Sequence, residues 1–513
     1  MSRLYRFIFL LAIVRFFLPY LLQHSFYQLH RDEFLYLDYA RQMQWGFMEV
    51  PPLLGVFAWL TSLADSPLWL VKFWPALLGS VSFALCADMA VRLGGRYHAI
   101  CWLWISFIFG AFIRLFFLFQ PGFLEVFTWT LMVWCLVRFQ QSGYSGWLYG
   151  FGFSLGLAML SKYTTLFFAA ALVGGLLLTN QKKIWYQKHF IGALALAGII
   201  WLPNLWWQYK HHFPVVTHMK ELQETQLQYL GMTDFLAGQL IMLLVVAWLW
   251  IAGLLVILLS NFRAGSYRWY GVTFLLLLAL LIIGRGKDYY AIGGYPFLLV
   301  VGSVQAEKWL NKTGVWIRGL AWTLTLTVGL FILPLGLPMF TPEKLADYYE
   351  KTGIKNALGF KWEDQQNHPL PQDFSDMIGW RELAEITAKS YNKLPDSIQQ
   401  STFIFCRGYY SAGALNYYGR QSGLPEAYTE NGSYLMRMPD SVWFKNLLLV
   451  GHSAPESSDT VFNFFEKSVL LDSLNYPLFR ENGIKLRLFI NGNDSMRYYA
   501  TRSIQREKKK FGL

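Results

Sequence analysis

The chain has 513 residues, of which 55% are hydrophobic and only 15% charged, with 22 Trp, 42 Phe and a formal net charge of +12. A soluble globular domain carries about a quarter charged residues, so this composition excludes an ordinary soluble enzyme. The positive excess does not mark a nucleic-acid binder either, because much of it lies in short segments between apolar runs, where Lys and Arg fix membrane topology.

The N-terminus, MSRLYRFIFLLAIVRFFLPYLL, joins a basic start to an apolar run. Arg15 interrupts that run and no small-residue cleavage site follows, so it reads as a retained first span rather than a signal peptide. About eleven spans are predicted, each near the ~20 residues that cross a hydrocarbon core. They lie at approximately 4–22, 67–91, 99–119, 122–138, 147–161, 163–179, 189–208, 235–260, 269–284, 289–306 and 315–338. The two runs flanking Lys162 also read as one long broken span. With this count Arg3, Arg6, Arg92, Arg96, Lys182, Lys183, Lys188, Arg263, Arg268, Lys308, Lys312 and Arg318 fall on one side, the expected cytoplasmic side.

The opposite side then holds the loop at 23–66, the loop at 209–234 and everything after about residue 340. In the first of these, RDEFLYLDYARQMQWG spaces Phe34, Leu35, Leu37, Tyr39 and Met43 as on an interfacial helix that starts at or just after Asp32 and runs toward Pro51-Pro52. From about 340 charge rises, Asn, Ser and Pro appear, and STFIFC, NLLLVG and KLRLFING read as strands, with a helical stretch in GWRELAEITAKSYNKL. The expected organisation is a polytopic α-helical membrane domain over 1–339 and a soluble α/β domain over 340–513 on the outer face. Cys86, Cys101 and Cys135 lie in apolar runs and Cys406 alone in the soluble part, which implies no disulfide framework.

Charged groups at membrane depth are costly, so their placement is informative. Asp32 and Glu33 open the first outer loop, and Arg114 and Glu125 lie at the outer ends of the third and fourth spans. Lys162 lies at the next outer junction, and Arg285, Lys287 and Asp288 at the junction of the ninth and tenth spans. Taken singly, an acid at a helix start is an ordinary cap, a Lys at a span end snorkels, Glu125 could be a satisfied buried acid, and His211-His212 read as loop residues rather than metal ligands. Together these groups describe a charged cavity on one face. Acids beside bases suit transfer to a hydroxyl from a phosphate-linked donor, with a carboxylate taking the hydroxyl proton and Lys or Arg stabilising the departing phosphate. No cofactor is indicated. No cluster has metal-ligand spacing, which leaves a divalent metal open without calling for one. No GxxxxGK[ST] is present, against an ATP-driven pump.

These residues carry a resemblance to the membrane-embedded GT-C glycosyltransferases, in the branch of the protein O-mannosyltransferases and of the aminoarabinose transferases that modify lipid A. The motifs that match are Asp32-Glu33 with the helix through Tyr39 and Arg41, VPPLLG at 50–55, Glu125 in FQPGFLEVFTW, Lys162 in GLAMLSKYT, and Lys287, Tyr289, Tyr290 and Pro296 in KDYYAIGGYP. The family often has His before Pro-Pro, where this chain has Val50 after Glu49, and Asp is commoner at the position of Glu125.

The resemblance implies an inverting single displacement from a polyprenyl-phosphate-linked sugar to a protein, lipid A or other glycan acceptor, in a bacterial inner membrane with the soluble domain periplasmic and undecaprenyl phosphate as carrier. It implies Asp32 as general base, with Glu33 and Glu125 holding the acceptor or orienting the base. Lys162, Lys287, Arg285 and Arg114 would bind the carrier phosphate, the two arginines by position only, and Tyr289 and Tyr290 would line the sugar or lipid groove. A transporter or flippase of lipid-linked sugars, an oligosaccharide transferase or glycan ligase, and a non-catalytic scaffold stand as alternatives. The Tyr-, Asn- and Gly-rich YYSAGALNYYGRQSGLPEAYTENGSYLMR reads either as a carbohydrate-contact surface or as an ordinary core.

Overall fold

A computed structural model describes residues 3–179, 184–185, 187–225, 227–229, 231–259, 267–452 and 460–513. Lys182, Lys183 and Arg263 of the basic loops lie outside the described residues. The expected runs are helical, but they are not eleven uninterrupted spans. Among the described residues, five helices are long and apolar enough to cross a membrane: Arg3–Leu22, Leu68–Arg92, Pro121–Ser142, Lys188–Lys210 and Val315–Gly336. Met232–Ile241 and Leu244–Leu259 pass that test only as a pair bent by 75°. The other runs form shorter helices, Tyr97–Ser106, Gly146–Met159, Thr165–Leu177, Arg268–Ile283 and Tyr295–Leu310.

The breaks have local causes. The run at 99–119 stops at Ser106 and resumes as Ala111–Leu115, and the freed Ala111 N–H donates to Met242 O at 2.9 Å, inside the bend of the other broken pair. Gly110 permits this approach, since a Cβ there would meet Leu243 Cδ2 at 2.9 Å. The run at 289–306 begins as a 3-10 turn, Asp288–Gly294, and becomes α-helical at Tyr295, with Pro296 in the first turn, where a missing N–H costs nothing. Lys162 sits in the turn between two separate helices, so the single broken span is not what forms.

The two ends of the bundle differ in chemistry. Along Leu68–Arg92, Lys72 pairs with Glu33 at one end, while at the other Asp88 receives Arg92 and the hydroxyl of Tyr5. A rise of 1.5 Å per residue sets Lys72 and Asp88 ~24 Å apart along the helix. Glu307 caps the start of Tyr97–Ser106 through the N–H groups of Arg96 and His98, at the same end as Asp88. Arg92 and Arg96 thus lie at the end of the bundle opposite the Asp32 loop.

The C-terminal part carries a five-stranded sheet in the order β2-β1-β3-β5-β4, with β1 Thr402–Cys406, β2 Ala427–Tyr428, β3 Asn446–Gly451, β4 Phe465–Leu474 and β5 Ile484–Gly492. The β1 strand runs parallel to β2 and β3, while β3, β5 and β4 are antiparallel in sequence. The three strands expected from sequence are β1, β3 and β5. All of β3 is buried, as a continuous apolar run in a sheet covered on both faces requires. Helices Trp380–Asn392 and Tyr409–Tyr418 lie together on one side, and Asp494–Lys510 contributes Met496 and Ile504 to the core on the other.

The first loop is locked into this domain. Gln28 N–H donates to Met377 O at 2.7 Å and its amide to Glu382 at 2.8 Å, while Glu49 accepts from Ser433 N–H at 2.7 Å. Phe34 stacks edgewise against Trp380 and Tyr418. The apolar side of the helix expected at a membrane interface therefore meets protein, with Phe34, Leu35, Leu37 and Tyr39 buried and Met43 exposed.

Candidate active site

The site begins with a helix start. His30 caps Arg31–Asp38: its Nδ1 accepts the Asp32 N–H at 3.1 Å, and Glu33 accepts the His30 N–H at 2.8 Å. Glu33 is 0% exposed and also receives Lys72 Nζ at 2.6 Å and the Phe119 N–H at 2.6 Å. Its placement suits orienting the helix start that carries Asp32, and leaves no oxygen for an acceptor.

Asp32 points elsewhere, with 29% of its side chain exposed. Its Oδ1 accepts from the Tyr409 hydroxyl and, at 3.4 Å, from Arg31 Nε, while among the described residues Oδ2 has only the Gln120 amide at 3.4 Å and His30 Nδ1 at 3.8 Å. Burial pushes this carboxyl up, but His30, the Arg31 guanidinium and the Tyr409 hydroxyl outweigh it and hold Asp32 below the ordinary range. It is a carboxylate at neutral pH, as a general base requires.

Two lysines face it across a group of tyrosines. Lys162 Nζ lies 2.9 Å from buried Glu125, which also accepts from the Thr164 hydroxyl, and sits 4.6 Å above the Tyr290 ring and 5.4 Å from Tyr289. Glu125 thus holds Lys162. Lys287 Nζ lies 3.9 Å from Glu363 of the sheet domain and within electrostatic reach of Asp32 and Lys162. Arg31 joins the same group, 3.8 Å from Glu363 and stacked near the Tyr409 and Tyr410 rings. Arg114 pairs with Asp373 at 2.9 Å. Arg285 stands in left-handed backbone with φ 50°, exposed, and makes no ion pair among the described residues. Asp32, Lys162, Lys287, Tyr289 and Tyr290 are therefore brought together, Glu33 and Glu125 support them from beneath, and Arg285 stands apart.

The ligating atoms of His30, Asp373 and Asp376 lie within 4.8 Å of one another, a spacing that could hold a metal. The acids of this group also form an ion network, while among the described residues the buried His30 Nε2 and Asp376 Oδ1 have no hydrogen-bond partner. His30 Nδ1 accepts a hydrogen bond, so the ring proton belongs on Nε2, which faces Asp376 at 3.6 Å and Asp373 at 3.9 Å. Arg480 lies 3.3 Å from Asp376, and Arg114 already holds Asp373. His211 faces Gly512 O at 3.1 Å, a loop-to-tail contact.

Sequence reasoning missed His30, Arg31, Lys72, Glu363, Asp373, Asp376 and Tyr409. Lys72 carried a legible signal, a lone cation inside an apolar run. Glu363, Asp373 and Asp376 carried none and Tyr409 only its place in a Tyr-rich stretch, because all four reach the site through the docking of the C-terminal domain.

Residues 49–207 match the family model for dolichyl-phosphate-mannose-protein mannosyltransferase, a segment that includes Arg114, Glu125 and Lys162. The chain is 24% identical over 327 residues to the lipid A galacturonosyltransferase RgtD of Rhizobium johnstonii, a stretch covering 61% of this chain and 67% of that protein. In structure it is similar to ArnT from Cupriavidus metallidurans bound to undecaprenyl phosphate, with a TM-score of 0.64 and 12% identity over 96% of this chain and 98% of that one. The apo state of the same protein gives a TM-score of 0.61 and 13% identity over 94% and 97%. The chain therefore has the GT-C fold of ArnT and is similar in sequence to a lipid A galacturonosyltransferase and, over residues 49–207, to the protein-mannosyltransferase family model.

Proposed function

We propose that this chain is an inverting glycosyltransferase that moves a sugar from a polyprenyl-phosphate carrier to an envelope acceptor, with lipid A the first candidate. The observation that carries the reading is one partly exposed carboxylate, Asp32, in electrostatic reach of Lys287, which is itself in reach of Lys162, whose ammonium lies over Tyr290. In the reaction Asp32 takes the proton of the acceptor hydroxyl as its oxygen bonds to the sugar C1. The bond from C1 to the phosphate oxygen breaks, and its electron pair leaves with the polyprenyl phosphate, stabilised by Lys162 and Lys287. Tyr289 and Tyr290 offer ring faces to the sugar or to the first isoprene units. Arg114 and Arg285 would meet the phosphate only after rearrangement, so the two lysines are the primary carrier contacts.

The basic residues at the end of the bundle opposite the site support a cytoplasmic end there, and hence a periplasmic site and sheet domain in a bacterial inner membrane. The carrier named for the Cupriavidus protein, undecaprenyl phosphate, and the acceptor named for the Rhizobium protein, lipid A, are the first to test. None of these relatives is a transporter.

The test incubates wild type and Asp32→Asn with radiolabelled undecaprenyl-phosphate mannose, galacturonic acid and aminoarabinose, each with lipid A and with an envelope extract. Expected is transfer by wild type and its loss in Asp32→Asn, with undecaprenyl phosphate binding retained. Movement of label across a sealed bilayer without transfer, unchanged in Asp32→Asn, would replace the transferase reading with a transporter.

A further inference from the structure

The two oxygens of Asp32 are not equivalent, and the difference comes from the sheet domain. Tyr409 is the first residue of the helix Tyr409–Tyr418, placed by β1, which ends three residues earlier at Cys406. That helix packs on Arg31–Asp38. Gly413 makes the close approach feasible, since a Cβ there would strike Phe34 Cβ and the Tyr434 hydroxyl. The packing delivers the Tyr409 hydroxyl to Asp32 Oδ1, where Arg31 Nε also arrives at 3.4 Å. Among the described residues Oδ2 keeps only two long contacts, Gln120 at 3.4 Å and His30 at 3.8 Å.

We propose that Tyr409 is a positioning residue for Asp32: its hydroxyl fixes Oδ1, so that Oδ2 is the oxygen that takes the acceptor proton. The sheet domain is then half of the site. This rests on the transferase reading of Asp32, and it adds which oxygen reacts and which domain selects it. A carboxylate pinned through one oxygen cannot rotate about its Cβ–Cγ bond without losing that bond, so the second oxygen stays aimed into the open space. The acceptor O–H bond breaks and an O–H bond forms at Oδ2, while Oδ1 keeps its donor throughout. The Tyr409 hydroxyl moves no proton.

The test reads the protonation of Asp32 directly, without any sugar substrate. The full-length protein in detergent is treated with a carbodiimide across a pH series, and modification at Asp32 is quantified by peptide mass spectrometry. The reagent requires the protonated acid, and a carboxylate that loses a hydrogen-bond donor gives up its proton less readily. In Tyr409→Phe the midpoint of labelling is therefore expected to move upward by about one pH unit. Tyr409→Gln keeps a neutral donor and is expected to fall between this variant and wild type. Tyr410→Phe, whose hydroxyl is turned toward Glu481, is expected to keep the wild-type midpoint. Midpoints unmoved in both Tyr409 variants would overturn the proposal, as would an equal shift in Tyr410→Phe. In the transfer assay the acid limb of kcat is expected to move upward in Tyr409→Phe by the same amount. Loss of transfer in Asp32→Asn with an unmoved limb in Tyr409→Phe would remove Tyr409 alone; full transfer by Asp32→Asn would remove the transferase reading of Asp32 while the labelling result stands.

Discussion

Lys162 Nζ lies 2.9 Å from the carboxylate of Glu125, a residue with no exposed surface, and this contact aims the ammonium at the tyrosine-lined space beside Asp32. Neither residue is informative alone, since one reads as a snorkelling lysine and the other as a buried acid. As a pair they are a cation held in place by its own counter-ion.

Lys162→Ala is expected to weaken binding of undecaprenyl phosphate about ten- to a hundredfold, the ~1.5–3 kcal/mol of a charge-assisted hydrogen bond. Glu125→Gln keeps the cation and loses its aim, so a smaller loss is expected. Equilibrium binding of radiolabelled carrier in detergent measures both. Wild-type affinity in Lys162→Ala would remove that residue from the carrier site.

Glu33 and Lys72 form a buried pair at 2.6 Å, with side chains 0% and 2% exposed. Glu33→Gln strands the ammonium, and breaking such a pair costs about 3–5 kcal/mol. A clear fall in melting temperature is expected. The double variant Glu33→Gln/Lys72→Met, which removes the stranded charge, should melt higher than Glu33→Gln alone; the reverse order would argue that the pair is not the source of the loss.

Gly413→Ala introduces a methyl group where Phe34 Cβ already stands. The two helices must separate, at a cost of roughly 1–3 kcal/mol for overpacking. Because Tyr409 rides on one helix and Asp32 on the other, turnover should fall more than stability does. Comparing kcat with melting temperature across Gly413→Ala and Tyr410→Phe separates the two effects.

Asp376 is buried, and desolvation pushes its carboxyl up to about 6 against the pull of Arg31, His30 and Arg480. A raised acid binds its proton more tightly folded than unfolded, so this group adds stability as pH falls through about 6 and on toward the unfolded value near 4. Relative to Asp376→Asn, which does not titrate, wild type should gain melting temperature between about pH 7.5 and 5. A difference that stays flat over that range would refute the assignment.

The arginines that already pair with Asp373 and Asp376 lead us to expect transfer without a divalent ion at that cluster. Turnover after exhaustive chelation should equal that of untreated enzyme. A loss restored by one added divalent ion, and abolished by His30→Gln, would establish the metal site instead.

Much of this protein was readable as sequence because membrane helices and strands announce themselves locally. The runs of apolar residues, the helix starting near Asp32, the β1, β3 and β5 strands and the gathering of Asp32, Lys162 and Lys287 on one face all follow from period, length and the placement of basic loops. Where the sequence misled, a distant partner had intervened. The run at 99–119 breaks because Met242 accepts its freed N–H, and the apolar side of Arg31–Asp38 turns to the sheet domain rather than to lipid. Tyr409 lies 377 positions from Asp32, and Glu363, Asp373 and Asp376 are remote in the chain from the lysine and arginines they meet. A hydrogen bond or ion pair between such residues leaves no periodic trace in either segment, because each is set by the docking of two domains and not by the preferences of its own stretch of chain. The sequence by itself determined which charges this protein carries at one face of its membrane; the tertiary structure alone decided which of them are spent on holding the others in place, and which oxygen of Asp32 is left free.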